Sequence, residues 1–267
     1  MTETSFPERE LIPYEATTFS AGRAAVLAAH PDDEVLGCGA ALASLAASGA
    51  ELHVLLLTDG AGLESDPEAR RGVAGRRREE SRRALEILGG ARIHTAEIPD
   101  REVGRRRRDV EAELGRFLQE VRPELVFAPS PVEIHPDHSA LAAAFLALLR
   151  DGAVSIETVA FYEISQAIRP NFLLDATPYR ALKNAAMDAF VSQNATRDYA
   201  GFIRGLNAYR RMTLPPSVEA AEGFYVLPGA ALRRLDTTAL ARAMGPSPPA
   251  PRRSWSALAA SLMGKPR

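Results

Sequence analysis

The chain has 267 residues, 46% apolar and 25% charged, with a net charge of −2; this is the balance of a globular domain with a full core, and it supplies no bulk attraction to nucleic acid or an anionic membrane. A single cysteine, Cys38, excludes an internal disulfide, and no stretch approaches the roughly 20 apolar residues of a spanning helix. The opening "MTETSFPERELIPYEA" lacks the apolar centre of a secretory signal, so a cytoplasmic protein is expected.

The first element is "RAAVLAAH" (23–30), a short apolar run without helical gaps that reads as a buried strand. "EVLGCGAALASLAASG" (34–49) is long enough for a helix and stops at Gly49. "ELHVLLLTDG" (51–60) is a second strand, residues 61–72 read as a loop, and "VAGRRREESRRALEILGG" (73–90) is an amphipathic helix with Val73, Arg77, Ala84, Ile87 and Leu88 on one side. A weaker strand (91–100), a helix (107–121), a strand "PELVFAPS" (123–130), a helix (137–150) and a fifth strand "ETVAFYEI" (157–164) follow. Two helices (179–193 and 197–212) and a last strand (221–228) come next. From residue 245, "GPSPPAPRRSW" reads as a Pro-rich linker, and 254–264 as a short apolar helical turn.

Alternating strands and helices predict a Rossmann-like, doubly wound α/β fold with a mostly parallel sheet, because parallel strands need right-handed crossovers. The simplest strand order is 3-2-1-4-5, with helical additions at the C-terminal side. The expected division is an N-terminal extension (1–22), one catalytic domain (23–230) and a partly flexible tail (231–267).

In such sheets, ligands bind beyond the carboxyl ends of the strands where the order reverses. The first strand ends in "HPDDE" (30–34) and the fourth in "PSPVEIHPDHS" (129–139). The predicted order makes these ends neighbours, which gathers His30, Asp32, Asp33, His135, Asp137 and His138, including three of the five histidines of the chain. Imidazoles and carboxylates together suit zinc, whose catalytic sites keep three protein ligands and one open position. His30 and Asp33 can face one point across the strand-to-helix turn, and either His135 or His138 would complete the set. Asp32 is the candidate to take a proton from water, the remaining histidine to stabilise an oxyanion, and Asp137 to fix a histidine tautomer. Each motif alone is also explained by helix starts, which favour Asp and Pro; it is the pairing of two such motifs that points to a metal.

"AHPDDE" followed by "HPDHSA" about a hundred residues later resembles the PIG-L/LmbE-like zinc N-deacetylases, with weaker likeness in "TDG" (58–60), "RREESRRALEILG" (77–89), "PD" (99–100), "SQ" (192–193), "GLNAYR" (205–210) and "AEGF" (221–224). The resemblance implies that His30, Asp33 and His138 ligate zinc, Asp32 is the general base, His135 stabilises the tetrahedral intermediate and Asp137 orients a histidine. It also implies removal of an acetyl group from an N-acetylated amino sugar or glycoconjugate, releasing acetate and an amine. Two histidines and a carboxylate equally suit Fe2+ or another divalent metal, so a non-haem iron oxygenase is the alternative chemistry. A non-catalytic sugar-binding protein is the other alternative.

The arginine-rich segments "RRREESRR" and "GRRRRDV" are interleaved with acids and read as solvated helix faces, so no nucleic acid partner is expected. His53 and His94 read as structural. "GCGAAL" (37–42) begins like a dinucleotide fingerprint, but Leu42 stands where its third glycine belongs. Tyr162 and Glu163 are expected at an exposed strand end, where contact with substrate and structural packing are equally open readings. The expected partner is a small amino-sugar substrate or glycoconjugate; association with a second copy of the chain is left open by the sequence. Peripheral membrane contact through the tail around Trp255 is a lesser expectation.

Overall fold

The computed structural model describes residues 12–62 and 64–245. The chain alternates β1 (Arg23–Ala28), α1 (Asp33–Ala47), β2 (Glu51–Thr58), α2 (Pro67–Ile87), β3 (Arg92–Ile98), α3 (Arg107–Val121), β4 (Leu125–Pro129), α4 (Pro136–Arg150) and β5 (Thr158–Tyr162). It continues through β6 (Phe172–Asp175), α5 (Arg180–Asp188), α6 (Val191–Asn194), α7 (Tyr199–Arg210), β7 (Ala221–Pro228), α8 (Gly229–Leu232) and α9 (Thr237–Met244).

The seven strands form one sheet in the order β3-β2-β1-β4-β5-β7-β6. The first five are parallel, as the sequence predicts, and β7 runs antiparallel between β5 and β6. β1 sits at the reversal, with Val26 paired to Val54 on one side and Phe127 on the other. Its side chains alternate between two cores. Ala24, Val26 and Ala28 face a layer built from α1, α2, α5 and α7, while Ala25, Leu27 and Ala29 face α3, α4, α8 and α9. A strand covered on both faces has to be apolar at every position, which is why "AAVLAA" carries no alternation.

Several elements depart from the sequence reading. Helix α2 begins at Pro67, inside the expected loop, because the Asp66 carboxylate caps it by accepting from Ala69 N at 2.7 Å. The helix expected over 179–193 breaks at Phe190, which leaves helical geometry (φ −82°, ψ 61°) and buries its ring. β6 is only four residues long and carried no alternation to read. Within the expected tail, α8 and α9 insert Leu232, Leu240 and Met244 into the second core. The Pro-rich stretch and the segment around Trp255 lie outside the described residues. No helix among the described residues is long and apolar enough to cross a membrane.

The extension ahead of β1 is tied to the far end of the sheet. The Phe19 ring stacks on Phe172 at 4.2 Å and meets Phe127 and Phe224 edge-on at 5.0 and 5.1 Å. Phe224 is fully buried at the centre of this group. Phe224→Ala should lower the unfolding free energy by about 3–5 kcal/mol, measured by urea titration; a loss under about 1 kcal/mol would show that the aromatic group does not anchor the β7 edge.

Candidate metal centre

The turn from β1 into α1 is held by its own side chains. Asp33 Oδ2 accepts from the His30 backbone N at 2.8 Å, and Glu34 Oε2 accepts from the Asp32 N at 3.0 Å. Between them Asp32 takes φ 135°, a conformation that costs a non-glycine residue about 1–3 kcal/mol and persists only when its surroundings impose it. Arg77, projected from the buried side of α2, imposes it. Its Nη2 donates to the Pro31 carbonyl at 2.6 Å and to Asp32 Oδ2 at 2.9 Å, and its Nη1 donates to the Gly60 carbonyl at 2.7 Å. Gly60 has φ 65°, and a Cβ there would lie 2.7 Å from Pro31 Cδ and 2.9 Å from Arg77 Nη1, so glycine is required.

The adjacent β4–α4 turn brings in the second motif. His138 Nε2 lies 3.2 Å from His30 Nδ1 and 3.2 Å from Asp33 Oδ2, and His30 Nδ1 lies 3.6 Å from that same oxygen. Three donor atoms from two distant segments therefore face one point. Each imidazole has a carboxylate on its other nitrogen. His30 Nε2 is 3.2 Å from both Asp137 Oδ2 and Asp100 Oδ1, and His138 Nδ1 is 3.4 Å from Glu133 Oε2. A carboxylate accepts only, so a neutral ring at either position carries its N–H on the outward nitrogen and presents its lone pair inward, the arrangement that ligating histidines require. Glu133 is itself fixed by the backbone N–H groups of Ile164 and Ser165. Asp137 accepts from Arg101 N at 2.7 Å.

His135 stands apart. It is the N-cap of α4, and its Nδ1 accepts from Asp137 N at 3.3 Å, which leaves the proton on Nε2. Its ring lies 4.6 Å from that of His30 and 5.0 Å from that of His138, centre to centre. His30, His135 and His138 form one group with a nitrogen each within metal-binding reach of the others; His30, Asp100 and Asp137 form another.

The electrostatics follow from counting charges. Asp32, Asp33, Asp100, Glu133 and Asp137 crowd around two imidazoles and one guanidinium. Burial disfavours charge on His30, yet bonds to Asp100, Asp137 and Asp33 hold it well above the usual histidine range. His138 is likewise desolvated but is pushed up to about 9 by Asp33 and Glu133. Asp33 is buried, yet the two histidines hold it well below the usual carboxylate value. This centre attracts positive charge, and either protons or a divalent cation satisfy it. Asp32 differs: burial raises it to about 6, with the Arg77 charge opposing. Burial, then the His30 and His138 charges, lower His135, so its ring is neutral at pH 7.

The cluster opens into a cleft of about 350 Å³ whose walls include Gly62, Val73, Arg101, Gln193, Thr196 and Tyr199. Five of the six residues singled out from the two motifs line this cleft, and the sixth, Asp137, lies behind them with its carboxylate on the His30 ring. Glu133, Asp100, Arg77 and Arg101 were not assigned roles from sequence, although "VEIHPDH", "PD" and "RREES" contain the first three. Tyr162 and Glu163 are not exposed. Tyr162 is fully buried, with its hydroxyl on the Leu27 carbonyl at 2.8 Å, and Glu163 is buried against Arg210. They lie beneath the substrate surface because β5 is covered by β7 and the helices that follow it. The flanking arginines do form solvated faces, Arg82 pairing with Glu79 and Arg107 with Glu111. His53 is buried between Glu51 and His94.

A doubly wound fold with a buried histidine–carboxylate cluster at its switch point defines a class of proteins with a candidate metal centre. Residues 25–149 match the family model described as PIG-L, GlcNAc-PI de-N-acetylase. Among curated proteins, the diacetylchitobiose deacetylase of Thermococcus kodakarensis is 33% identical over 154 residues, covering 56% of this chain and 54% of that protein. The match thus spans about half the length of that relative. Among solved structures, the N,N'-diacetylchitobiose deacetylase of Pyrococcus horikoshii superposes with a TM-score of 0.66 at 26% identity, over 79% of this chain and 85% of that one. The 4-carboxy-2-hydroxymuconate hydratase of Pseudomonas putida superposes with 0.64 at 26% identity, over 77% and 95%.

Glu34 supplies a stability test. It is fully buried, and burial raises it to about 7 from 4.5 against the opposing pull of the Ser81 hydroxyl and the Asp32 backbone N–H. The folded state therefore holds a proton there that the unfolded chain releases. Stability from this group is complete below pH 4.5 and is lost as pH rises toward 7. Glu34→Gln removes this dependence, and its melting temperature should rise relative to wild type between pH 5 and pH 8, by an amount equivalent to up to about 3 kcal/mol. A constant difference across that range would mean that Glu34 is ionised throughout.

Proposed function

We propose that the protein is a metal-dependent hydrolase that removes the acetyl group from an N-acetylated amino sugar or glycoconjugate. The observation that carries this reading is the triangle of His30 Nδ1, His138 Nε2 and Asp33 Oδ2, with sides of 3.2, 3.2 and 3.6 Å. Ligands about 2.1 Å from a tetrahedral zinc lie about 3.4 Å apart, so the donor set fits such an ion without rearrangement. His30, Asp33 and His138 would hold it, with Asp137 and Glu133 orienting the two rings. When bound, the cation supplies Lewis acidity and lowers the pKa of water.

The remaining steps belong to side chains. Arg77 holds Asp32 Oδ2, which leaves the other carboxylate oxygen to take the proton of the attacking water. The His135 Nε2–H, neutral and half-buried, donates to the amide oxygen as it gains charge. Asp32, now protonated, passes the proton to the departing nitrogen, and acetate and an amine leave. The cleft walls from α6 and α7 surround the sugar.

A second reading has one observation in its favour. Arg101 lines the cleft and its side chain makes no ion pair with an acid among the described residues, which suits a carboxylate-bearing substrate and hence hydration of the kind named for the Pseudomonas relative. Acetate release from a panel of N-acetyl sugars, run beside water addition to unsaturated carboxylates, separates the two.

Asp32→Asn should lower kcat at least about a hundredfold while metal content and KM stay within twofold. Full activity in this variant would remove Asp32 from the reaction. In the wild type, kcat/KM should fall on the acid side around pH 6 as Asp32 takes up its proton; a profile flat down to pH 4.5 would contradict the assignment. Stripping the protein with a chelator should abolish acetate release, and Zn2+ at a thousand times its Kd should restore it and add about 4 kcal/mol of stability by calorimetry. Undiminished turnover by protein shown to be metal-free would contradict the proposal.

A further inference from the structure

The "GCG" stretch of α1 has no part in the chemistry above, yet it marks a break in the helix. Cys38 takes φ −142° and ψ 28°, and the helix resumes in a new segment beyond it. A break of this kind orphans backbone groups on both sides, and a buried helix cannot leave them to water. Three side chains take them up. Glu222, from β7, accepts from Ala40 N at 2.8 Å through Oε1 and from Ala41 N at 2.9 Å through Oε2, capping the second segment. Lys183, from α5, donates to the Leu36 carbonyl at 3.0 Å, closing the first segment. Cys38 Sγ reaches the Glu34 carbonyl at 3.2 Å.

Lys183 and Glu222 are joined to each other at 2.6 Å, and their side chains are 3% and 0% exposed. The two glycines make room. A Cβ on Gly37 would lie 2.4 Å from the Tyr162 ring, and one on Gly39 would lie 3.1 Å from Lys183 Cγ. A buried ion pair is weak evidence for stability as such, because desolvation offsets its attraction. This one sits where a bent helix needs an acceptor on one side of its break and a donor on the other.

The bend matters for the site because the segment ahead of it carries Asp33. Five residues of helix make a lever of about 7 Å. Straightening a kink of about 20° over that length moves its end by about 2.5 Å. Misplacement by about 1 Å is enough to cost about a hundredfold in rate.

We propose that the Lys183–Glu222 pair is a positioning device that holds α1 broken at Cys38 and so sets the Asp32–Asp33 turn against His30 and His138. The inference rests on the functional reading above for what the turn does, but not for the break itself. Neither residue lines the cleft.

The test uses full-length protein carrying Lys183→Met, Glu222→Gln or both, with zinc affinity measured by competition against a chromophoric chelator. Each single variant should bind zinc at least tenfold more weakly and lose at least tenfold in kcat, with KM changed less than twofold. The double variant, whose buried groups are both neutral, should recover melting temperature but not zinc affinity. Recovery of both would assign the pair to stability alone and overturn the proposal, as would wild-type affinity in a folded single variant. If those variants fail to fold, Gly39→Ala, which only nudges Lys183, should weaken zinc binding at least threefold; unchanged affinity there overturns the proposal equally. A wild type that binds no zinc sinks the functional reading instead. The device is then judged by the amide resonances of His30 and Asp33 in Gly39→Ala, which must move if the bend sets the turn.

Discussion

Five carboxylates packed against two imidazoles and one guanidinium, all buried at the carboxyl ends of β1 and β4, are the constraint on which the rest of this structure depends. Such a cluster is unfavourable in a protein interior unless positive charge joins it. Every surrounding element answers that demand. The turns hold the acids by backbone N–H groups, Arg77 neutralises one edge, and His30 and His138 each turn one ring nitrogen toward a common point. The strained backbone of Asp32 belongs to the same arrangement, held by the Arg77 guanidinium on the Pro31 carbonyl and the Asp32 carboxylate.

The fold supplies the place for this cluster. A central parallel strand must be apolar on both faces, so β1 cannot carry polar groups until it ends. The first position free to do so is the strand terminus, and there the reversal of strand order leaves a crevice between neighbouring crossovers. β4 meets the same condition at its own end. The two motifs are thus brought together by packing rules that concern alanine and valine more than histidine. The antiparallel β7 and the helices around it close the remaining side, and through Glu222 and Lys183 they reach back to the helix that carries Asp33.

Much of this was legible in the sequence because it depends on local pattern. Uninterrupted apolar runs marked the strands, their alternation with helices predicted a parallel sheet, and the simplest order for such a sheet made neighbours of residues 30–34 and 135–138. What escaped the sequence reading was set by contacts between distant segments. Glu133 stands five residues before His138 and looks like an ordinary loop acid until the backbone of Ile164 and Ser165 closes on it. Arg77 lies in a run of arginines, and nothing local separates the one that turns inward from those facing solvent. Tyr162 and Glu163 seemed exposed because the covering strand, β7, lies some sixty residues further on. β6 was invisible because four residues are too few to show a period.

In the proposed centre, His30, Asp33 and His138 converge on one divalent cation. Zinc-edge X-ray absorption on protein loaded with a single equivalent of zinc tests it most directly. Two imidazole nitrogens and oxygen at about 2.0–2.1 Å, falling to one imidazole in His138→Ala, is the predicted result. A shell containing sulfur, or an imidazole count unchanged by that substitution, would contradict the account.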